Sequence, residues 1–505
     1  LKQIERAYSG EFASRICRIL ILFLFSFVFT WLHLRNPEFR ADDAFIHYRI
    51  ADNFATSGYP FFNLAESVLA SSSVVWTLVL ALAFRVFGAN WLVVDLICVL
   101  SSLAAAFTFA KVVSSLSNSK RWYLEILVFI LVLAGLLASS LQRMETPLAI
   151  LFLAIGMCAL AKIPLLACGV LLLAVCTRLE MLVFFLPTAA LLLFTRQLRL
   201  SALLLAPIVV AGPIFFGVWY FFTDLVPQTV HAKAAIYDLS MLNSFFLLVG
   251  GVLGKTIFVS SPPALAIACV LLPLSMLFIA LCLWPLLKQE HSRIAGLLFF
   301  GALSLMSLYV AARVYIFPWY TPLYLVPLIL GFVLTALQTK NFFWRALTFI
   351  WLVPLSVHAG LDTFAAVAKP KLFSEYEGGA RAAAYRQVGE QLFQECPSCV
   401  LMASEIGGLG FGFRGKVLDA AGLATPEAVS FQRALKAGST NTFGGGIPGE
   451  FVAKAKPDFV VGMDVMLSDF QHHSCRQDYE QVMLSWAHRD REGELKAFRI
   501  IRAKN

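Results

Sequence analysis

The sequence predicts a polytopic α-helical membrane protein of about eleven transmembrane helices with a C-terminal extracytoplasmic α/β domain. Three observations carry that prediction. Hydrophobic residues make up 59% of the 505, far above the share in soluble globular chains. Apolar runs of roughly 17 to 25 residues, the length that crosses a hydrocarbon core, recur as far as about residue 361. From there Lys, Arg, Glu, Gly and Pro return, and the remaining stretch has the size of one compact domain. The expected organisation is therefore a membrane domain over 1–361 and an α/β domain over 362–505. The first apolar run is too long for the core of a signal peptide and no small-residue cleavage site follows it, so it is expected to be a retained helix.

Charge sets the expected orientation. Lys2, Arg6, Arg15 and Arg18 precede the first span, which places the N-terminus on the cytoplasmic side. Basic loops recur at Lys111 to Arg121, Lys162, Arg196 to Arg199, Lys288 to Arg293 and Lys340 to Arg345. All of them lie inside only if one apolar run does not cross. Residues 74–88 are short and carry Arg85, so they are assigned as an interfacial or re-entrant helix. The spans then fall near 16–34, 91–112, 122–140, 146–161, 164–178, 180–195, 200–222, 262–287, 294–312, 318–337 and 342–361. The loops 35–90, 141–145, 178–180, 223–261 and 313–318 and the C-terminal domain lie outside. Localisation is expected in a bacterial inner membrane. The net charge of +9 reads as membrane orientation, and no nucleic-acid partner is expected.

Polar residues then gather on the outer side. The segment A-D-D-A-F-I-H-Y-R brings Asp42, Asp43, His47, Tyr48 and Arg49; Asn63, Glu66, Ser71 to Ser73 and Trp76 follow. Asp42 precedes an apolar helical pattern, so helix capping accounts for one aspartate; the alternative is a general base for a hydroxyl, tuned by its neighbour or helped by a metal. Arg143 and Glu145 stand at a helix mouth, where an acid also suits the dipole. Arg178 and Glu180 are either a local ion pair or a substrate contact, since ionisable groups near membrane depth are functional candidates. Lys233 is a candidate phosphate ligand or a snorkelling lysine, and His231 beside it packs or binds. Arg313, Tyr315, Trp319 and Tyr320 read as an interfacial aromatic belt, except that positive charge is disfavoured outside. Acids that activate a hydroxyl beside cations that stabilise a leaving phosphate suit transfer from a lipid phosphate.

These motifs resemble a known group. D-D-A-F-I-H-Y-R, G-Y-P-F-F-N-L-A-E, S-S-S-V-V-W-T-L, R-M-E-T-P-L, T-R-L-E-M, P-Q-T-V-H-A-K and F-P-W-Y-T-P resemble, in order and spacing, the GT-C glycosyltransferases that use polyprenyl-phosphate sugars. Within them the chain is most similar to the actinobacterial terminal arabinofuranosyltransferases and the pilin arabinosyltransferases. The resemblance covers about residues 15–335, with a weaker echo at S-E-I-G-G-L-G-F and V-L-D-A-A-G-L. It implies Asp42 as catalytic base with Asp43 in support, and Lys233, Arg313 and His231 on the donor phosphate. Glu145, Arg178, Glu180, Tyr48, Arg49, Asn63, Trp76 and Trp319 would contact sugar or acceptor. The implied reaction inverts the anomeric carbon and releases polyprenyl phosphate. The acceptor would be a surface glycan or a protein such as a pilin, and part of the superfamily uses a divalent cation (Mg, Mn or Ca). Ala70 to Val75 depart from the family's usual G-Y-T-S-P-L, and Leu179 stands where proline is commoner. Competing readings are a mannosyl or aminoarabinose transferase acting on protein or lipid A, and a secondary transporter with an outer domain.

In the tail, short apolar runs at 400–405, 416–419, 458–463 and 496–501 predict strands, and helical patterns stand near 380–394 and 425–437. Gly410 to Gly415 matches a dinucleotide fingerprint by letter but leads into a strand pattern, so that reading is discarded. Cys396-Pro-Ser-Cys399 is a candidate disulfide, with Cys475 a further outer cysteine.

Overall fold

In a computed structural model, the structure describes residues 2–37, 39–116, 122–160, 162–194, 209–222, 226–237, 239–253, 290–338, 379–437, 445–486, 488–490 and 492–501, with scattered helical residues between 342 and 368. The chain divides into two compact units. One comprises Leu1–Pro37, Asp95–Pro213 and Leu239–Pro370; the other comprises Glu38–Val94, Ile214–Asp238 and Lys371–Asn505. By packing, the second unit thus gathers two segments from before residue 361.

The first unit is helical: α1 (Lys2–Arg35), most of α4 (Trp91–Leu116), α5 (Trp122–Leu141), α6 (Thr146–Ala159), α7 (Pro164–Thr177), α8 (Leu182–Phe194), α11 (Met241–Leu253), α12 (Glu290–Ala311) and α13 (Thr321–Gln338). Among the described residues five stretches are long and apolar enough to cross a membrane: Ser14–Arg35, Trp91–Leu116, Trp122–Leu141, Arg293–Ala311 and Pro318–Gln338. The expected spans at 146–161, 164–178 and 180–195 are shorter helices of 14, 14 and 13 residues. At 1.5 Å per residue these reach only about 20 Å, short of the roughly 30 Å core. Pro147 and Pro164 in the first turns of α6 and α7 set where those helices begin. Gly156 of α6 lets α7 close in, since a Cβ there would press on Leu171.

One expectation changes, and others fall where the structure describes nothing. Within 223–261, read as an outer loop, residues 228–236 and 241–253 are helical, as α10 (Gln228–Ile236) and α11; the apolar run A-K-A-A-I continues the first of them. The expected span at 262–287 lies outside the described residues, as do 200–208 and much of 342–361.

The second unit holds α2 (Asp42–Ser57), α3 (Val74–Phe87), most of α9 (Gly212–Phe222), α10, α14 (Gly379–Glu395), α15 (Gly407–Phe413), α16 (Ala428–Ala437), α17 (Gly449–Ala455) and α18 (Asp464–His472). Its strands are β1 (Val400–Ala403), β2 (Lys416–Asp419), β3 (Phe459–Met463), β4 (Tyr479–Val482), β5 (Arg489–Asp490) and β6 (Gly493–Ile500). The sheet runs β2-β1-β3-β6-β4, with β5 hydrogen-bonded to β6. β1 is parallel to β2 and β3, while β6 runs antiparallel to β3 and β4. Alternation along the strands splits the core. Leu401, Ala403, Phe459 and Val461 pack with Ile46 and Ile50 of α2, Val388 of α14 and Leu409 of α15. Met402, Val460 and Phe498 face Phe451, Leu467 and Phe470 on the other side. A sheet covered on both faces suits strands as apolar as F-V-V-G-M. α3, at 14 residues, is also too short to cross a bilayer unaided. The strands and helices expected in the tail form where the patterns placed them, and Cys396 and Cys399 are joined as a disulfide.

Candidate active site

The second unit brings the tandem aspartates together with a cation. Asp42 and Asp43 open α2, where Ala41 is the cap residue and makes no side-chain cap bond; neither carboxylate is spent on capping its own helix. Asp43 Oδ2 lies 3.2 Å from Lys233 Nζ on α10. That helix is braced at its start: Gln228 N donates to Leu69 O at 2.9 Å, and its side chain donates to Gly422 O at 3.1 Å. The Gly422 turn is ordered in turn by the buried Asp419 carboxylate, which accepts from Ala421 N and Ala424 N. Burial pushes Asp419 up to about 7 against those amides.

Asp42 faces the tail. Its Oδ2 accepts from Gly407 N at 2.9 Å and its Oδ1 from Gly408 N at 2.8 Å. Burial pushes its carboxyl up to about 6; the two amides and Arg381 hold it down, while Asp43 adds to the rise. A carboxylate with that proton affinity is well matched to general-base work near neutrality. Nearby, Arg381 of α14 lies 3.1 Å from Glu405 and also pairs with Glu492. Burial pushes Glu405 up to about 8 despite Arg381.

Other expected contacts are occupied by packing. Tyr48 is buried among Phe45, Phe84, Trp91 and Phe411. Arg49 spends its donors on Phe62 O at 2.7 Å, Gly410 O at 2.5 Å, Gly415 O at 2.6 Å and Asn63 Oδ1 at 3.2 Å. Burial pushes it down to about 9. Asn63 continues the brace to Val417 O at 2.9 Å. Trp76 is buried, and its indole N–H has no hydrogen-bond partner among the described residues. His47 lies 3.0 Å from Ser71 Oγ. His231 is exposed and stands two residues from Lys233 on a helix, about 200° around the axis. The expectation that both hold one phosphate from α10 is corrected on that ground.

The first unit carries a separate buried charge cluster. Arg178, the residue closing α7, lies 2.5 Å from Glu145 and 3.3 Å from Glu180. Its guanidinium sits 4.5 Å from the Tyr320 ring centroid, and Tyr309 Oη donates to Glu180 at 3.0 Å. Thr146 donates to Trp319 O at 2.7 Å, which fixes the backbone beside Tyr320. Arg143 pairs with Asp95 at 2.7 Å and donates to His33 O at 3.1 Å. Arg313 is exposed in the turn after α12, with φ of 54°. Tyr309, Asp95, Arg381 and Glu405 were not singled out from the sequence. Asp95 carried a signal, as an acid inside an apolar run; Tyr309 carried none.

A divalent cation does not fit the tandem aspartates as they stand. Each Asp42 oxygen accepts an amide and Asp43 faces an ammonium, a donor set that matches carboxylates with positive groups already. Among the described residues no three His, Cys, Asp or Glu side chains group at ligand geometry.

No family model and no curated protein matches the sequence. Among solved structures the chain is similar to the crystal structure of ArnT from Cupriavidus metallidurans bound to undecaprenyl phosphate. The two share 12% identity with a TM-score of 0.50, over 95% of this chain and 97% of that one. At that identity the likeness speaks for the fold alone: this chain is a multi-pass helical membrane protein with the GT-C fold and a small sheet-bearing domain toward its C-terminus.

Proposed function

We propose that the protein is a membrane glycosyltransferase that moves a sugar from a polyprenyl-phosphate donor to an acceptor hydroxyl, with inversion. The observation that carries this reading is the pairing of a hydroxyl-activating acid with a phosphate-binding cation: Asp42 and Asp43 stand side by side, and Lys233 lies 3.2 Å from Asp43. Asp42 takes the acceptor proton as the acceptor oxygen bonds to the anomeric carbon. The bond from that carbon to the phosphate oxygen breaks, and polyprenyl phosphate departs with the charge that Lys233 stabilises. Asp43 aims Lys233. Arg313 is a second proposed phosphate contact, and the Glu145–Arg178–Glu180 set is proposed to recognise sugar hydroxyls. No step is routed through a metal.

The donor sugar we propose is a pentose, D-arabinofuranose, delivered to a surface glycan or a pilin-like protein; the sequence motifs support it. One observation favours an amino sugar instead. Arg178 pairs with both Glu145 and Glu180, and two carboxylates around one guanidinium suit a sugar that carries an ammonium, such as aminoarabinose. The proposed setting is a bacterial inner membrane with the N-terminus cytoplasmic and the tail extracytoplasmic. The Cys396–Cys399 disulfide supports an oxidising compartment for the tail.

The test is transfer by purified full-length protein from a panel of lipid-linked sugars: arabinofuranosyl, aminoarabinosyl and mannosyl. Release of polyprenyl phosphate with one of them supports the reading and names the sugar. Movement of a sugar lipid across vesicles without transfer would favour a carrier.

A further inference from the structure

Among the described residues, the groups that favour the ionised form of Asp42 come from the far end of the chain. Gly407 N and Gly408 N donate to its two carboxylate oxygens, and the Arg381 guanidinium acts on it from α14. Asp43, beside it on α2, and burial work the other way. Glu405 and Tyr385 also face this cluster, and Arg381 is shared with Glu405, Asp490 and Glu492. Lys233 neutralises Asp43 in turn.

The backbone at Gly407 leaves no room for anything else. A Cβ there would overlap the Asp42 carbonyl oxygen and press on its carboxyl carbon, while a Cβ at Gly408 would overlap Ala382 O on α14. Two consecutive glycines thus let α15 pack between α2 and α14 closely enough for both amides to reach the carboxylate. Each carboxylate oxygen keeps a further lone pair, so holding Asp42 in this way does not block proton uptake. The two amides fix the carboxyl plane, and the orientation of a base decides whether it reaches the acceptor proton.

We infer that the C-terminal segment is a positioning element for catalysis: the Gly407 and Gly408 amides, brought in by the close packing of α15 against α2 and α14, aim the Asp42 carboxylate. This rests on Asp42 being the base. The segment S-E-I-G-G therefore belongs to the active machinery although none of its side chains need touch substrate.

The experiment uses full-length detergent-purified protein and reads two things: the pH profile of kcat, and the pH dependence of Asp42 modification by dicyclohexylcarbodiimide, followed by peptide mass spectrometry. In the wild type the midpoint of modification is expected near 6; a midpoint on the alkaline side of neutrality overturns the inference without any variant. Gly407→Ala is expected to lower kcat about tenfold or more, to leave the donor KM near its original value, and to move the acidic limb to higher pH. Arg381→Gln moves the limb the same way, and Arg381→Lys returns it. Lost activity with an unmoved limb and midpoint in these variants means a merely structural role and overturns the inference. Asp42→Asn run in parallel separates the two ideas: full activity there defeats the base assignment itself, whereas inactivity with unmoved limbs defeats only the positioning role.

Discussion

Lys233 Nζ and Asp43 Oδ2 lie 3.2 Å apart, and both side chains are about a quarter exposed, at 26% and 27%. A pair that wet is worth about 0 to 1 kcal/mol to the fold, so its value is positional. Asp43 points the ammonium while Asp42, one residue earlier, turns to the tail amides. The tandem aspartates thus divide into one that aims a cation and one that is free to act as base.

Lys233→Met should therefore change thermal stability by less than about 1 kcal/mol while lowering kcat/KM for the lipid donor by about 10- to 100-fold. The loss should sit mainly in donor affinity. Lys233→Arg, which keeps the charge, should recover part of it. Steady-state kinetics against a thermal melt of the same preparations check this; equal donor affinity in Lys233→Met would remove Lys233 from the phosphate.

The acidic limb of kcat/KM should fall near pH 6, where Asp42 takes its proton. The sign follows from the chemistry: a base must be ionised, so burial that raises its proton affinity moves the loss of activity upward from the usual carboxylate range. Below the limb the rate should drop about tenfold per pH unit. A profile flat down to pH 4 would mean that no carboxyl of raised affinity takes part.

Arg178 is 4% exposed between Glu145 and Glu180. Arg178→Met leaves two carboxylates facing one another in a buried place, at a cost of about 3 to 5 kcal/mol. Adding Glu145→Gln should give back much of that, because one of the stranded charges goes too. Thermal unfolding of the single and double variants in the same detergent measures the coupling, and strictly additive losses would contradict the shared pair.

Much of this was legible in the sequence, and the gaps have physical causes. The strands at 400–403, 416–419 and 459–463 announce themselves as short apolar runs between turns. The start of α2 follows from a charged pair ahead of an apolar helical pattern. The contact of Asp42 with Gly407 does not show, because the two are 365 residues apart and the donor is a backbone amide, which every residue but proline carries. Arg49 looked like a substrate contact for the same reason: composition cannot say that a guanidinium is spent on backbone carbonyls. Sequence proximity groups His231 and Lys233 as neighbours in a loop; with 228–236 helical, their spacing of two parts them.

Arg49 ties Phe62, Asn63, Gly410 and Gly415 together, so its loss should be a stability defect. Arg49→Ala is expected to cost about 3 kcal/mol or more, through unsatisfied carbonyls. Arg49→Lys should rescue little, since one ammonium does not reproduce the planar fork. Limited proteolysis and thermal melts read this; an unchanged melt with selective loss of acceptor binding would restore Arg49 to the substrate site.

The most direct test is Asp42→Asn in the purified full-length protein, given lipid-linked sugar and acceptor at neutral pH. The account predicts a fall in transfer of about 10²- to 10⁴-fold, with binding of the lipid donor kept. Transfer at the wild-type rate would contradict it.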